Sequence, residues 1–379
     1  VSFDWIDEDR LPQFAPGEQL LLFGAGQGCV ELLQWLAEFA PQTIVTAIAD
    51  NDNSMWGRSL QGYPVIDPAT IAEHEFSRIV ITTISGEDPV SAQLRAMGHE
   101  PGEHFCAVGR YPTNHLGNFN ILLELDRACP FLNPGSRILH VGPGGFLGLE
   151  CSLYALGHEP CSMDAYAFGV SYPDVTERMD KYRGTRDALL QTPQAKDVPD
   201  AAERFDSLFS ERGGRIMLDE QRMPYVAPAR FSSLPFDDAS LDVISSFAVL
   251  EHVRSPENVV RECRRVLRPG GVAVQRILSR DHRSFGQVAG YHPASYLDHS
   301  PQEWEAVNTD KFYQNRVLPE EWRDLFEQGG MRVEFFRTLG QYHFSDEERE
   351  RLHPDFAHVA EAGVVSVNCD MVVRKYENG

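Results

Sequence analysis

Basic residues are scarce in this 379-residue chain: 34 Lys and Arg stand against 56 Asp and Glu, a formal net charge of −22. A surface of that sign repels a polyphosphate backbone, so nucleic acid is not expected as a partner. Long apolar runs are missing too. None reaches the roughly 18 residues that span a bilayer, and the opening stretch VSFDWIDEDR holds no apolar signal core. No membrane partner is expected, and the protein is read as cytoplasmic. The seven cysteines, at 29, 106, 129, 151, 161, 263 and 369, are odd in number and never spaced CxxC. That removes the common zinc and redox motifs and leaves burial as small hydrophobes. There is no internal repeat and no low-complexity tract. What is present suits ordinary globular cores: 42% hydrophobic residues and five Trp, on a chain long enough for two domains.

Strand and helix signals alternate in two blocks, which predicts an α/β fold built of two Rossmann-like domains. In the first block QLLLF is an apolar strand, and CVELLQWLAEF a helix with Val30, Leu33 and Ala37 on one face. TIVTAIAD and SRIVITTIS read as buried parallel strands. The expected boundaries are residues 1–110 for this domain, 111–133 for a helical connector, and 134–379 for the second domain. In that second block RILHV, EPCSMDA, LDVISSF and VAVQRIL read as strands, followed by two long closing strands. Residues 171–224 are polar and weakly apolar, and predict an insertion or lid. In SPENVVRECRRVLRPGG, Ser255 suits an N-cap, Pro256 the first helical position and Gly270-Gly271 the exit. Positions 259, 263, 266 and 267 form its buried stripe, and its arginines are read as a solvated face.

Two glycine-rich turns follow strands, FGAGQG at 23–28 and VGPGG at 141–145. Such turns let a ligand approach bare backbone. Gly142 and Gly144 lie directly after a strand, and Asp164 ends the next one, where a carboxylate can hold both ribose hydroxyls of an adenosine. That pattern alone fits NAD as well as S-adenosylmethionine (SAM). Downstream, FSSLPFDDASLDVISSFAVLEHVRSPENVVRECRRVLRPGGVAV resembles the core of class I SAM-dependent methyltransferases of the type 11-like group. It carries LPF, D-x-S-x-D, LEHV and RVLRPGG in family order. With HVGPGGFLGLE and Asp164 the resemblance covers about residues 136–282. It is nearest to a bacterial subgroup found among surface-glycan and secondary-metabolite genes.

The resemblance implies SAM as cofactor, with Gly142, Pro143 and Gly144 lining its methionine side and Asp164 on the ribose. Phe231 and Ser232 would flank adenine, while Ser246 and Phe247 would face the sulfonium, with Tyr166 and Tyr172 as further aromatic candidates. His140 stands where the family usually has an acid oriented toward the SAM amino group, and Arg230-Phe231-Ser232 where it commonly has an acid near adenine. For an acceptor hydroxyl a general base helps, and His252 and His282 follow the fourth and fifth strands, with Asp281 placed to orient His282. His292 and His299 could line an acceptor pocket. Some relatives bind a divalent ion through E-x-x-E-H at this turn, but Ala248 replaces the first carboxylate; Glu251, His252 and His282 could still form a three-ligand site, though no metal is expected.

The first turn lacks Gly at its sixth position, where Cys29 stands. With AIADNDN and LQGYPVIDP, residues 18–85 resemble the Rossmann-like domain that precedes some sugar-modifying acyltransferases and methyltransferases. A nucleotide on Gly24, Gly26 and Asp50 and an empty shaping domain both fit. The expected activity is methyl transfer to a hydroxyl or amine of a small molecule or sugar. The alternatives are SAM chemistry that releases methylthioadenosine (cyclisation or aminocarboxypropyl transfer), a non-catalytic binding protein, and an NAD-dependent oxidoreductase.

Overall fold

Side chains alternate across a strand, and in the first strand, β1 (Gln19–Phe23), both faces are apolar, so the strand must be covered on two sides. Leu20 and Leu22 pack against Cys29, Val30, Leu33 and Leu36 of α1 (Gln27–Phe39). Leu21 and Phe23 pack on the other face, with Val90 and Leu94 of α2 (Glu87–Ala96). The buried stripe of α1 thus runs through Leu36, and Ala37 is exposed. The remaining strands are β2 (Ile44–Ala49), β3 (Ser59–Leu60), β4 (Tyr63–Ile66), β5 (Arg78–Ile81) and β6 (Phe105–Ala107). They make a six-stranded sheet of order β3-β4-β2-β1-β5-β6, parallel except for the β3–β4 pair.

The computed structural model describes residue 6 and residues 10–83, 87–109, 116–166, 172–284, 291–308 and 313–376. The start of the expected connector, 111–115, and of the expected insertion, residue 171, lie outside the described residues. Among those described, no helix is long and apolar enough to cross a membrane.

The chain divides into two compact units. The first comprises residues 1–114, 280–312 and 351–357, and the second residues 115–279, 313–350 and 358–379. Two segments beyond residue 134 therefore group with the N-terminal sheet. In the first of them the contacts are aromatic and cationic: the guanidinium carbons of Arg58 and Arg283 lie 3.7 and 4.2 Å from the Tyr291 ring centre. The Tyr291 hydroxyl donates to the Ser54 carbonyl at 3.3 Å.

The second unit begins with α3 (Gly117–Ala128), whose Phe119, Leu122 and Leu125 join the same core as Ile138 and Leu149. What reads in sequence as connector is thus a packed helix. β7 (Arg137–Val141), α4 (Gly148–Ala155) and β8 (Glu159–Met163) follow. The expected insertion is a folded subdomain, with α5 (Met179–Leu190), α6 (Pro193–Lys196), α7 (Ala201–Asp206) and a hairpin of β9 (Phe209–Arg212) and β10 (Arg215–Leu218). Its Tyr182, Leu189, Phe205 and Leu218 are buried in that core. After β11 (Tyr225–Val226) come β12 (Leu241–Phe247), α8 (Pro256–Val266) and β13 (Leu267–Ile277). α9 (Pro301–Val307) belongs to the first unit; α10 (Pro319–Gln328), β14 (Met331–His343) and β15 (Val364–Lys375) complete the second.

The seven strands are ordered β11-β8-β7-β12-β13-β15-β14, with β15 antiparallel to both neighbours and the rest parallel. From β7 the chain winds outward through β8 to one edge, then returns to β12 on β7's other side. The order reverses there, and the crevice beyond the carboxyl ends of β7 and β12 is where open α/β sheets bind ligands.

Candidate active site at the sheet's switch point

Both strands end in left-handed backbone. Gly142, after β7, has φ +75°, and Gly144 has φ +67°. A Cβ on Gly142 would lie 2.4 Å from Cγ2 of Val249, in the turn after β12. Glycine is required there by conformation and by the neighbouring turn together. That turn enters through Ala248, a non-glycine at φ +57°, a conformation that costs energy and clusters at functional sites. The Gly144 amide donates to Asp164 Oδ2 at 3.1 Å, and the Tyr166 amide to Oδ1 at 3.3 Å. Asp164 is buried, and desolvation pushes its carboxyl up, with those amides pulling against it. Gly142, Pro143, Gly144 and Asp164 thus form one cradle.

His140 lies below the cradle. It is 2% exposed, and its Nδ1 is 2.7 Å from Oε1 of buried Glu150, which also accepts the Ser162 hydroxyl at 2.7 Å. The ring packs beside Phe247, centroids 5.6 Å apart. The imidazole is therefore committed to an interior network, and among the described residues its buried Nε2 has no hydrogen-bond partner. Ser246 is likewise fully buried, with its hydroxyl donating to Gln275 Oε1 of β13. Phe231 packs with Leu139, Val141 and Met163 at 5% exposure, while Ser232 beside it is half-buried. Tyr166 is half exposed, and the Tyr172 hydroxyl donates to the Met223 carbonyl. A shallow, open cleft with room for about one water, some 20 Å³, lies beside Gly144 and Gly145, walled by Tyr172, Arg178, Tyr182 and Tyr225.

The turn after β12 is held by a residue that sequence reasoning passed over. Asn315 donates from Nδ2 to the carbonyls of Leu250 and Val253, at 2.7 and 3.0 Å, and from its amide to that of Glu251 at 2.7 Å. Within the turn Glu251 is 1% exposed, and its carboxyl faces its own amide and that of Leu278, which pull its pKa down against burial. Burial pushes its pKa up to about 8. His252, at the surface, has Nδ1 2.7 Å from the Tyr313 carbonyl. A carbonyl only accepts, so that nitrogen carries the proton and the lone pair of the neutral ring sits on Nε2.

Asp281 and His282 group with the first unit. The Asp281 carboxylate does not orient His282: it takes Arg283, with Nε at 3.0 Å, Nη2 at 2.6 Å and the Arg283 amide at 2.9 Å. Nearby in that unit, His299 Nε2 lies 3.3 Å from Arg283 Nη2, and the His292 amide donates to Ser295. In the N-terminal turn Gly24 has φ +107°, and Asp50 accepts the Ala25 amide at 2.6 Å and the Asp52 amide at 2.7 Å. Both its oxygens thus serve the turn itself.

Residues of α8 brace the loop that leads into β12. Arg265 is no solvated side chain: its guanidinium donates to the carbonyls of Leu234 and Phe236, at 2.9 and 2.8 Å, and to Asp238 and Glu262. Glu262 in turn accepts the Leu234 amide at 2.8 Å. Val259, Cys263, Val266 and Leu267 are fully buried, as the sequence stripe predicts. Ser255 occupies the N-cap position without a side-chain capping bond, and the helix ends at Val266, so Gly270-Gly271 fall inside β13.

Comparison with known proteins places this geometry. Residues 212–275 match the family described as "Methyltransferase domain", and residues 17–101 the family described as "C2185-like, N-terminal". A ubiquinone biosynthesis O-methyltransferase of Roseobacter denitrificans is 32% identical over 158 residues, 39% of this chain and 57% of that protein. A Mycolicibacterium smegmatis protein named "Probable S-adenosylmethionine-dependent methyltransferase" is 33% identical over 112 residues, 30% of this chain and 36% of that one. The chain therefore spans less than two thirds of either relative. Geranyl diphosphate C-methyltransferase of Streptomyces coelicolor, solved with S-adenosylhomocysteine, overlaps 69% of this chain and 81% of its own at 11% identity and a TM-score of 0.37. The matched residues run from the β9–β10 hairpin through the β12 turn and α8 into β13, one side of the crevice, and this part of the second unit belongs with the class I SAM-dependent methyltransferases.

Proposed function

We propose that this protein transfers a methyl group from SAM to a hydroxyl, or an amine, of a small molecule or sugar. The observation that carries the reading is the Gly144–Asp164 cradle at the point where the sheet order reverses. The cradle fits an adenosine: bare backbone with φ positive at two glycines, next to a buried carboxylate at the end of the second strand. Asp164 would accept the ribose hydroxyls, and Gly142, Pro143 and Gly144 would line the methionine arm. Ser232 and the edge of Phe231 would border adenine, and Phe247, 8% exposed at the end of β12, would flank the sulfonium. His140 would act from below, as a support for Phe247 and the strand end.

When bound, SAM supplies an electrophilic methyl on a positively charged sulfur. The chain's own part is to align the acceptor and to take its proton. Alignment alone can supply about 7–11 kcal/mol of barrier reduction. His252 Nε2 is the base set up by the Tyr313 bond, with His282 as the alternative. The O-methyltransferase relatives support an oxygen acceptor, and the acidic surface disfavours nucleic acid. For the first unit, Asp50 accepts the Ala25 and Asp52 amides much as Asp164 accepts those of Gly144 and Tyr166, so a nucleotide and a shaping role both fit that turn.

Calorimetry with S-adenosylhomocysteine tests the reading. Binding that weakens at least tenfold in Asp164→Ala, with S-adenosylhomocysteine formed from SAM on adding an acceptor, is expected. Methylthioadenosine as the product, or no binding at all, would overturn it.

A further inference from the structure

Lys375, at the end of β15, is buried without a counter-ion. It is 9% exposed, and among the described residues its ammonium makes one hydrogen bond, from Nζ to the Leu267 carbonyl at 2.8 Å, and no ion pair. Lysine is rarely buried this far unless paired, and an ammonium left so is destabilising. The side chain stands in the wall of an open cavity of about 370 Å³, lined also by Arg332, Arg374 and Tyr376. Register places this cavity at the end of the sheet away from the crevice. Lys375 pairs with Met331 at the start of β14, and Arg374 pairs with Arg332 on one side and with Val272 of β13 on the other. From Val272 the β13 strand runs five more residues to Ile277, roughly 17 Å at about 3.3 Å per residue.

The neighbouring cations are engaged to different degrees. Glu334 accepts Nε of Arg374 at 2.7 Å and Nη2 of Arg332, and Arg374 also donates to the carbonyls of Gly270 and Pro130, at 2.7 and 3.2 Å. Arg374 is therefore framework. Arg332 keeps N–H groups that no described residue accepts. Arg264 of α8 adds a further charge nearby, its guanidinium carbon 3.4 Å from the Cβ position of Gly330, just before β14. Burial and Arg264 together lower the pKa of Lys375, and Asp238, which opposes them, is itself paired with Arg265. Three lining cations against the one carboxylate of Glu334 leave an excess of two positive charges, in a chain whose net charge is −22.

We propose that this cavity binds the phosphate of a small phosphorylated molecule, held by the Lys375 ammonium and the Arg332 guanidinium, at a site separate from the crevice. A phosphate monoester carries about −1.5 to −2 at neutral pH, which matches the excess; a carboxylate meets only half of it. The volume lies near the low end of the roughly 300–1,000 Å³ of small-molecule pockets, and Tyr376, half exposed, would border the part of the ligand beyond its phosphate. The site does not depend on the SAM reading.

Glycerol 3-phosphate, titrated calorimetrically at fixed ionic strength, is the probe, against wild type, Lys375→Met, Arg332→Gln and Arg183→Gln. Lys375→Met keeps the apolar stem, and the Arg332 side chain is more than half exposed, so its replacement leaves the fold intact. Arg183, on α5, is a comparably exposed arginine far in sequence from the cavity. A lost charge-assisted bond corresponds to about a 10- to 100-fold loss of affinity. That loss is expected in both cavity variants, with Arg183→Gln binding as wild type does. Wild type that does not bind the probe at millimolar concentration would overturn the proposal, as would a loss below about threefold in Arg332→Gln. Equal weakening in Arg183→Gln would overturn it too, since general charge attraction would then account for the binding. Should Lys375→Met fail to fold, Arg332→Gln decides alone.

Discussion

Gly142→Ala isolates the contact between the two strand ends that form the crevice. Alanine at φ +75° carries a left-handed backbone cost of about 1–2 kcal/mol. Its Cβ would also stand 2.4 Å from Val249 Cγ2, and overpacking of that kind adds about 1–3 kcal/mol. The control is Gly144→Ala: φ is +67°, but nothing lies within 4 Å of its Cβ position, so only the backbone cost applies. A domain of this size shifts by about 2–4 °C in Tm per kcal/mol. Gly142→Ala should therefore lower Tm by several degrees more than Gly144→Ala in thermal scans. Adding Val249→Ala should recover most of that difference, because the clashing methyl is gone. Equal Tm losses for the two glycines, or no recovery on trimming Val249, would refute the idea that the β7 loop and the β12 turn are packed as one unit.

Two further outcomes follow from the same turn. Glu251 is raised from its ordinary 4.5 to about 8 by burial, so the folded state holds a proton that the unfolded chain releases. Its contribution is fully present below the unfolded pKa and is lost as pH rises through about 8; Glu251→Gln should leave Tm unchanged in acid and raise it above the wild-type value at about pH 9, and a constant difference across that range would contradict a carboxyl held protonated by burial. Asn315→Ala removes two donated bonds to the Leu250 and Val253 carbonyls and the bond it accepts from the Val317 amide at 3.2 Å; at about 1 kcal/mol each, urea unfolding should show a loss of roughly 2–3 kcal/mol.

Much of the second unit's sheet could be read directly from sequence. RILHV and LDVISSF coincide with β7 and β12, and VVSVNCDMVVRK with β15, because a strand buried on both faces writes itself as an apolar run. β11 is two residues long, too short to carry a period, and the β9–β10 hairpin is half polar since it lies outside the main sheet. In the site, the glycines and Asp164 were legible because turn geometry and strand-end position constrain residue type. Asn315 was not: a single Asn some sixty residues from the turn it holds leaves no local pattern. Nor was the direction of Asp281, whose nearest cation, Arg283, lies two residues on and outcompetes the adjacent histidine. Glu251 looks like a solvated helix-start acid in LEHV, and only its depth in the fold distinguishes it.

The assignment of residues 280–312 and 351–357 to the first unit bears on synthesis as well as architecture. The chain passes between its units five times, at 114/115, 279/280, 312/313, 350/351 and 357/358. A protein whose domains follow one another can fold the first while the ribosome is still making the second. Here Arg58 waits for Tyr291, more than two hundred codons downstream, before its stacking partner exists. The N-terminal sheet leaves the exit tunnel before the segments that group with it, so a fragment ending near residue 110 is expected to wait for part of its own unit.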